Sequence, residues 1–294
     1  MTTALDSLEI STTGRLKPIP VPGWLKASFR LTGSVAPSLA AAWADQMFFT
    51  PPKHAKVRPM EAEFLAAAER VSFSARGQRV TGWLWHGTGA PVLLVHGWGG
   101  HTGQMTPFAR ALVAKGQMVV GLDMPGHGES DGSKSSLIHF HAAMQSAAQV
   151  FGKFSGVIGH SFGCAGVMLA LSHGLVADRA VFLAPPVVFQ SFWDRFCESF
   201  GVSPAVWDRL ISNAERHYQV RFSDLAPAQI APRMRIPLRI LHDRGDREVD
   251  CREGAELSRL WPGAELITTT GLGHNRILRD AGAVATAVEF FPAA

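Results

Sequence analysis

Apolar positions between residues 70 and 122 fall into short runs separated by glycine, proline and charged turns. Residues 70–75 and 80–86 read as a hairpin about Arg76-Gly77-Gln78, and 92–96 as a short buried strand. Residues 106–115 have helical spacing and end at Gly116, and 118–122 are apolar throughout, as expected of a strand covered on both faces. The alternation continues with a helix over 135–151, a strand at 156–159, a small-residue helix over 162–173 and a strand at 179–184 stopped by Pro185-Pro186. It resumes with strand 238–242, helix 252–260, strand 265–269 and helix 280–291.

Residues 187–235 break this rhythm with helical periodicity alone. Phe189, Phe192, Trp193, Phe196, Cys197 and Phe200 make one apolar face, ended by Gly201. Ser203 is expected to cap the next helix, with Pro204 at its first position and Val206, Trp207, Leu210, Ile211, Ala214 and Tyr218 as its stripe. At the other end, residues 1–23 read as an irregular arm finishing in Lys17-Pro-Ile-Pro-Val-Pro-Gly23. Residues 24–49 read as two helical pieces, with Pro37 in a first turn and Leu39, Trp43 and Met47 on one face. Short apolar strands alternating with helices predict an α/β fold: a mostly parallel twisted sheet with helices on both faces. The chain then divides into an N-terminal basic arm and helices (1–69), a core (70–186 and 236–294) and an insert (187–235). An insert placed there emerges at the carboxyl ends of the strands, where open α/β sheets bind ligands, and is expected to be a helical lid.

Composition narrows the class. The 294 residues are 47% hydrophobic and 18% charged, enough apolar material for one large core and too much for a disordered chain. The net charge of +4 has a local source. Arg15, Lys17, Lys26, Arg30, Lys53, Lys56 and Arg58 face only Asp6, Glu9 and Asp45 within residues 1–60, and the remainder is balanced. This gives no case for a nucleic-acid partner. Three readings fit the basic segment: helices docked on the core, a contact for a partner subunit such as a second copy, or a lipid surface. The proline break and the few charges per turn make lipid the weaker reading of the last two. Cys164, Cys197 and Cys251 show no paired spacing and suit a reducing, cytoplasmic location. Neither a signal-peptide core nor an 18-residue apolar run is present, so no transmembrane segment is expected.

The chemistry centres on Gly159-His-Ser-Phe-Gly163, a G-x-S-x-G pattern lying between a predicted strand and a predicted helix. That context presents the Ser161 hydroxyl from a tight turn at a helix N-terminus, where amides can hold a developing anion. The Phe162 amide is one candidate donor. The other is the Trp98 amide in His96-Gly-Trp-Gly-Gly100, the loop after the first parallel strand. A serine hydroxyl needs a base, and His274 in Gly271-Leu-Gly-His274 follows the last predicted strand. Asp246 in Leu241-His-Asp-Arg-Gly-Asp246 is the candidate acid, with Asp243 and Asp250 as rivals.

These pieces, with Asp123-Met-Pro-Gly-His-Gly-Glu-Ser130, resemble the α/β-hydrolase superfamily in kind and in order. The resemblance spans residues 92–274 and implies that fold over about 70–292. It implies a serine esterase acting through a Ser161–His274–Asp246 triad on a small-molecule ester or acyl substrate, without cofactor or metal. A thioesterase, C–C hydrolase or acyltransferase shares the same residues, and a non-catalytic binding member is a further alternative. An aspartate-nucleophile hydrolase would need Asp where Ser161 stands. The sequence departs from the family at His242-Asp243, where His-Gly is common, leaving a second carboxylate near Asp246. His96 and His160 are expected to support or pack the site, Asp123 and Glu129 to shape it, and Cys164 to pack. His139 and His141 form an H-x-H without further ligands at matching spacing.

Overall fold

The computed structural model describes residues 19–52 and 56–293. The greater part of the expected arm, 1–18, therefore lies outside the described residues. Eight strands form one sheet: β1 (Glu69–Ala75), β2 (Gln78–Trp85), β3 (Thr88–Val95), β4 (Gln117–Leu122), β5 (Gly156–His160), β6 (Ala180–Leu183), β7 (Leu238–Asp243) and β8 (Glu265–Thr269). Their spatial order is β1-β2-β4-β3-β5-β6-β7-β8. β1, β2 and β4 pair antiparallel, and every pairing from β4 through β3 to β8 is parallel. The hairpin turns at Arg76-Gly77, both with positive φ.

Parallel strands need crossovers, and helices supply them on both faces. These are α4 (Thr106–Ala114), α5 (Leu137–Phe151), α6 (Phe162–Ser172) and α10 (Cys251–Leu260), while α12 (Ala281–Glu289) packs on the sheet after its last strand. Successive residues of β3 alternate between the two faces: Leu93 and Val95 join one buried cluster, Val92 and Leu94 the other. β3 lies between β4, which follows it in sequence, and β5, so the strand order reverses there. Loops leaving adjacent strands in opposite directions open a crevice at their carboxyl ends. The loop after β3 carries Trp98, and the turn after β5 carries Ser161.

Two helical pairs lie outside this core. The insert forms α7 (Gln190–Phe200), α8 (Pro204–Tyr218) and the single turn α9 (Pro227–Ile230). Its entry is anchored where the half-buried Glu253 carboxylate accepts the Val187 and Val188 amides at 2.7 and 2.9 Å. Gly201 closes α7 with φ +71°. Ser203 stands at the N-cap of α8, but its side chain makes no capping bond, so Pro204 and the packed stripe define that end. The N-terminal helices are α1 (Gly23–Val35) and α2 (Pro37–Phe48), with Pro37 at the first position of α2. The docked-helix reading needs correction in its target: α1 and α2 pack on α7 and α8, not on the sheet layers. Phe29, Ala40, Ala41 and Ala44 share a separate buried cluster with Phe196, Phe200, Val206 and Leu210. Phe29 stacks on Trp43 at 4.1 Å and meets Phe200 edge-on. α3 (Pro59–Ala66) was not legible as a helix in the pattern; its N3 Glu61 accepts the Arg58 amide at 2.9 Å.

Candidate active site

The turn from β5 into α6 is tight enough to dictate its residues. Ser161 has φ +50° and ψ −122°, a conformation that costs a non-glycine residue about 1–3 kcal/mol. The surroundings hold it there: the Ser161 amide donates to the Leu183 carbonyl at 2.9 Å. Gly163 lets α6 approach β3, since a Cβ there would fall 2.5 Å from the His96 carbonyl oxygen. Gly159 similarly faces the Cys164 backbone at 3.1 Å. Phe162 opens α6, so its amide has no acceptor one turn back. Among the described residues neither that amide nor the Trp98 amide donates to another protein group.

The Trp98 loop is held by its neighbours. The His96 ring donates from Nδ1 to the Gly97 carbonyl at 2.7 Å and accepts the Met124 amide at Nε2, 3.0 Å away. Asp123 accepts the amides of Thr102 and Glu129 and the Trp83 indole N–H. Asp123 thus ties the loops after β3 and β4 together, as its expected shaping role requires.

His274 lies in α11 (Gly273–Arg276), a single helical turn after β8. Its Nδ1 is 2.7 Å from Asp246 Oδ2, and both side chains are buried. The other Asp246 oxygen accepts the Glu248 and Val249 amides at 2.8 and 3.0 Å, so the loop after β7 wraps the carboxylate. Burial raises the Asp246 pKa, but hydrogen bonds from His242 and His274 overcome this and hold it well below the usual carboxylate range. Asp243 and Asp250 are occupied elsewhere. Asp243 accepts the Gly245 and Leu272 amides and the Thr269 hydroxyl, joining the ends of β7 and β8. Asp250 caps α10 through the Arg252 amide and pairs with the Arg252 guanidinium.

Two neighbours of this pair were not singled out for such positions. His242 is fully buried, with Nε2 at 3.4 Å from Asp246 Oδ2 and 3.1 Å from the Val249 carbonyl. Two acceptors there require Nε2 to carry the proton. Gly254 makes room for the ring, since a Cβ would lie 2.5 Å from His242 Nδ1. The departure at His242-Asp243 was the available signal, read as an extra carboxylate, not as a donor to Asp246. Glu248 Oε2 lies 4.0 Å from His274 Nε2, and the Glu248 side chain is half exposed.

His160 packs against His274. Its Nε2–H donates to the His274 carbonyl at 3.0 Å, and the two rings lie 4.8 Å apart. Burial and the adjacent His274 lower its pKa to about 3 from 6.5. The unfolded chain therefore binds a proton near pH 6.5 that the folded protein refuses until near 3, and stability falls as pH drops through that window. We expect this group to add a slope of up to about 1.4 kcal/mol per pH unit between about pH 4 and 6. His160→Gln should remove it, as read from urea unfolding midpoints at stepped pH. A slope of the same sign from His139, pushed to about 4 by burial and Arg76, should remain.

Ser161, His274, Trp98 and Phe162 line one cavity of about 750 Å³. Phe189, Phe192, Trp193, Phe196 and Phe200 form its insert wall, while Met47, Phe48 and Phe49 at the end of α2 form another. The second wall was missed from sequence, although Phe48-Phe49, one residue before Pro51-Pro52, marks an aromatic pair fixed at a chain stop. The H-x-H histidines stand apart: His139 meets Tyr218 and His141 meets His173. Among the described residues no group of three His, Cys, Asp or Glu could hold a metal ion. Cys164 is buried against the Leu183 carbonyl, and burial pushes its thiol pKa well up, consistent with packing.

The sheet order and the serine turn define an α/β-hydrolase-fold protein, and comparison with solved structures agrees. Residues 88–221 match the family model described as serine aminopeptidase, S33. The esterase Pf2001 of Pyrococcus furiosus is similar at 21% identity, over 82% of this chain and 95% of that one, with TM-score 0.60. Est1E from Butyrivibrio proteoclasticus, solved with ferulic acid bound, is 20% identical over 75% and 97%, with TM-score 0.59. A bromoperoxidase from Bacillus anthracis is 17% identical over 76% and 99%, with TM-score 0.56. No curated protein matches the sequence.

Proposed function

We propose that the protein is a serine hydrolase cleaving a carboxylic ester with an apolar acyl group, through a covalent acyl-enzyme. The observation that carries this is the buried His274–Asp246 pair opening on the same cavity as Ser161 at its strained turn. Ser161 Oγ attacks the carbonyl carbon while His274 Nε2 takes its proton. Asp246 holds the proton on His274 Nδ1, leaving the Nε2 lone pair for the hydroxyl, and stabilises the imidazolium. The Trp98 and Phe162 amides hold the oxyanion at the positive end of α6. His274 then protonates the departing alcohol oxygen, and water attacks the acyl-enzyme by the same path in reverse.

In this reading residues 187–235 are the lid, and α2 of the 1–69 segment completes the roof with it. The aromatic lining supports an apolar acyl group and disfavours a charged one at the wall, because ionic groups lose hydration there without a partner. Titration with a fluorophosphonate should inactivate the enzyme at one label per chain, located on Ser161 by mass spectrometry. A panel of p-nitrophenyl esters of graded acyl length should show kcat/KM rising from acetate to medium chains. Folded protein that neither takes the label nor turns over any ester would overturn the reading.

A further inference from the structure

The α1–α2 hairpin carries two apolar faces, and the described fold covers one. The inner face packs on α7 and α8 through Phe29, Ala40, Ala41 and Ala44. On the outer face Trp24, Leu31 and Val35, seven and four residues apart, stand opposite Phe29 on α1 and are 69, 67 and 74% exposed. Leu39 in the first turn of α2 continues the stripe at 64%. A helix facing only water would carry polar residues along that line.

The charge around the stripe has one sign along the chain. From Ile19 to Ala44 there is no Asp or Glu, only Lys26 and Arg30. Arg30 is exposed beside the stripe, and Arg209 of α8 reaches the Ser38 hydroxyl at 3.3 Å, next to Leu39. The exposed acids on the neighbouring helices are Asp194 and Glu198 on α7, the latter's carbonyl binding Lys26 Nζ, and Asp208 on α8. A two-fold contact through the stripe would place basic edge against basic edge. An anionic lipid surface suits it better: Trp24 fits the headgroup boundary, the aliphatic residues enter the acyl region, and the cations meet lipid phosphate. No helix among the described residues is long and apolar enough to cross a membrane, so the contact is peripheral.

We propose that this outer face docks the protein on an anionic bilayer. The same hairpin gives Met47 and Phe48 to the cavity wall, so docking brings a bilayer-held ester close to Ser161. That last step, though not the docking, rests on the serine-hydrolase reading above.

The test is cosedimentation of the full chain with phosphatidylcholine vesicles, with and without about one-third phosphatidylglycerol. We expect partition about tenfold stronger to the anionic vesicles, weakened by salt. Trp24→Ser/Leu31→Ser/Val35→Ser should lose about tenfold of that partition while keeping its melting temperature and its hydrolysis of a short water-soluble ester. Ser161→Ala should bind vesicles as the wild type does, so failure of docking and failure of the hydrolase reading are separate results. No partition to anionic vesicles, equal partition to both, or partition untouched by the triple substitution would overturn the proposal. So would a concentration-dependent dimer that the triple substitution dissolves without any vesicle binding, which would assign the face to a second copy.

Discussion

Ser161→Ala should lower kcat for the best ester by roughly 10⁵–10⁶-fold, with KM or inhibitor affinity changed only a few-fold. The size follows from what the hydroxyl does. In the proposed mechanism it forms the bond that divides hydrolysis into two easier steps, and no neighbour can replace it. Cys164, the nearest cysteine in sequence, is buried behind the turn with its thiol pKa pushed up by burial, so a thiolate cannot stand in. The residual rate should reflect the Trp98 and Phe162 amides and the cavity acting on water attack. Alanine also keeps the fold, because the turn is fixed by the Ser161 amide bond to Leu183 and by the glycines, not by the hydroxyl. Stopped-assay kinetics with a melting curve as control decide this. A loss below about a hundredfold would mean that Ser161 is not the nucleophile.

The sheet was legible because each element carries its own signal. β3, β4 and β5 are short apolar runs, and the elbow sits between a strand and a helix that the pattern locates separately. Ser161 and His274 could be named as candidates because their positions follow from local context: a strand-to-helix turn and a glycine-rich segment after the last strand. The docking of α1–α2 could not be read. Phe29, Ala40 and Ala44 mark a buried face, but nothing local distinguishes the sheet from α7–α8 as its partner, and that choice decides what walls the cavity. The hydrogen bond from His242 to Asp246 was hidden for a related reason. Its geometry depends on the space at Gly254, twelve residues away on another element. The choice among Asp243, Asp246 and Asp250 likewise turned on where each carboxylate finds its donors.

That choice yields the second large effect. Asp246→Asn should lower kcat by about 10⁴-fold, whereas Asp243→Asn should leave kcat within about tenfold and cost about 1–3 kcal/mol of stability. An amide at position 246 has nearly the carboxylate's shape, yet it can turn an N–H toward His274 Nδ1. The histidine then keeps its proton on Nε2, where it cannot accept one from Ser161. The neutral amide also lacks the charge that stabilises the imidazolium. Asp243 instead receives the Gly245 and Leu272 amides and the Thr269 hydroxyl, all from loops and strand ends. An amide at position 243 retains one acceptor oxygen, so the β7–β8 junction loosens while the His274–Asp246 contact survives. His242→Gln offers an intermediate probe, because its amide N–H can still donate towards Asp246 Oδ2, and its loss in kcat should be about tenfold or less. Measured together by kcat and urea unfolding, the two aspartate variants should separate cleanly onto the two readouts. If the large loss of kcat instead followed position 243, Asp243 would be the acid and the Asp246 contact a structural one.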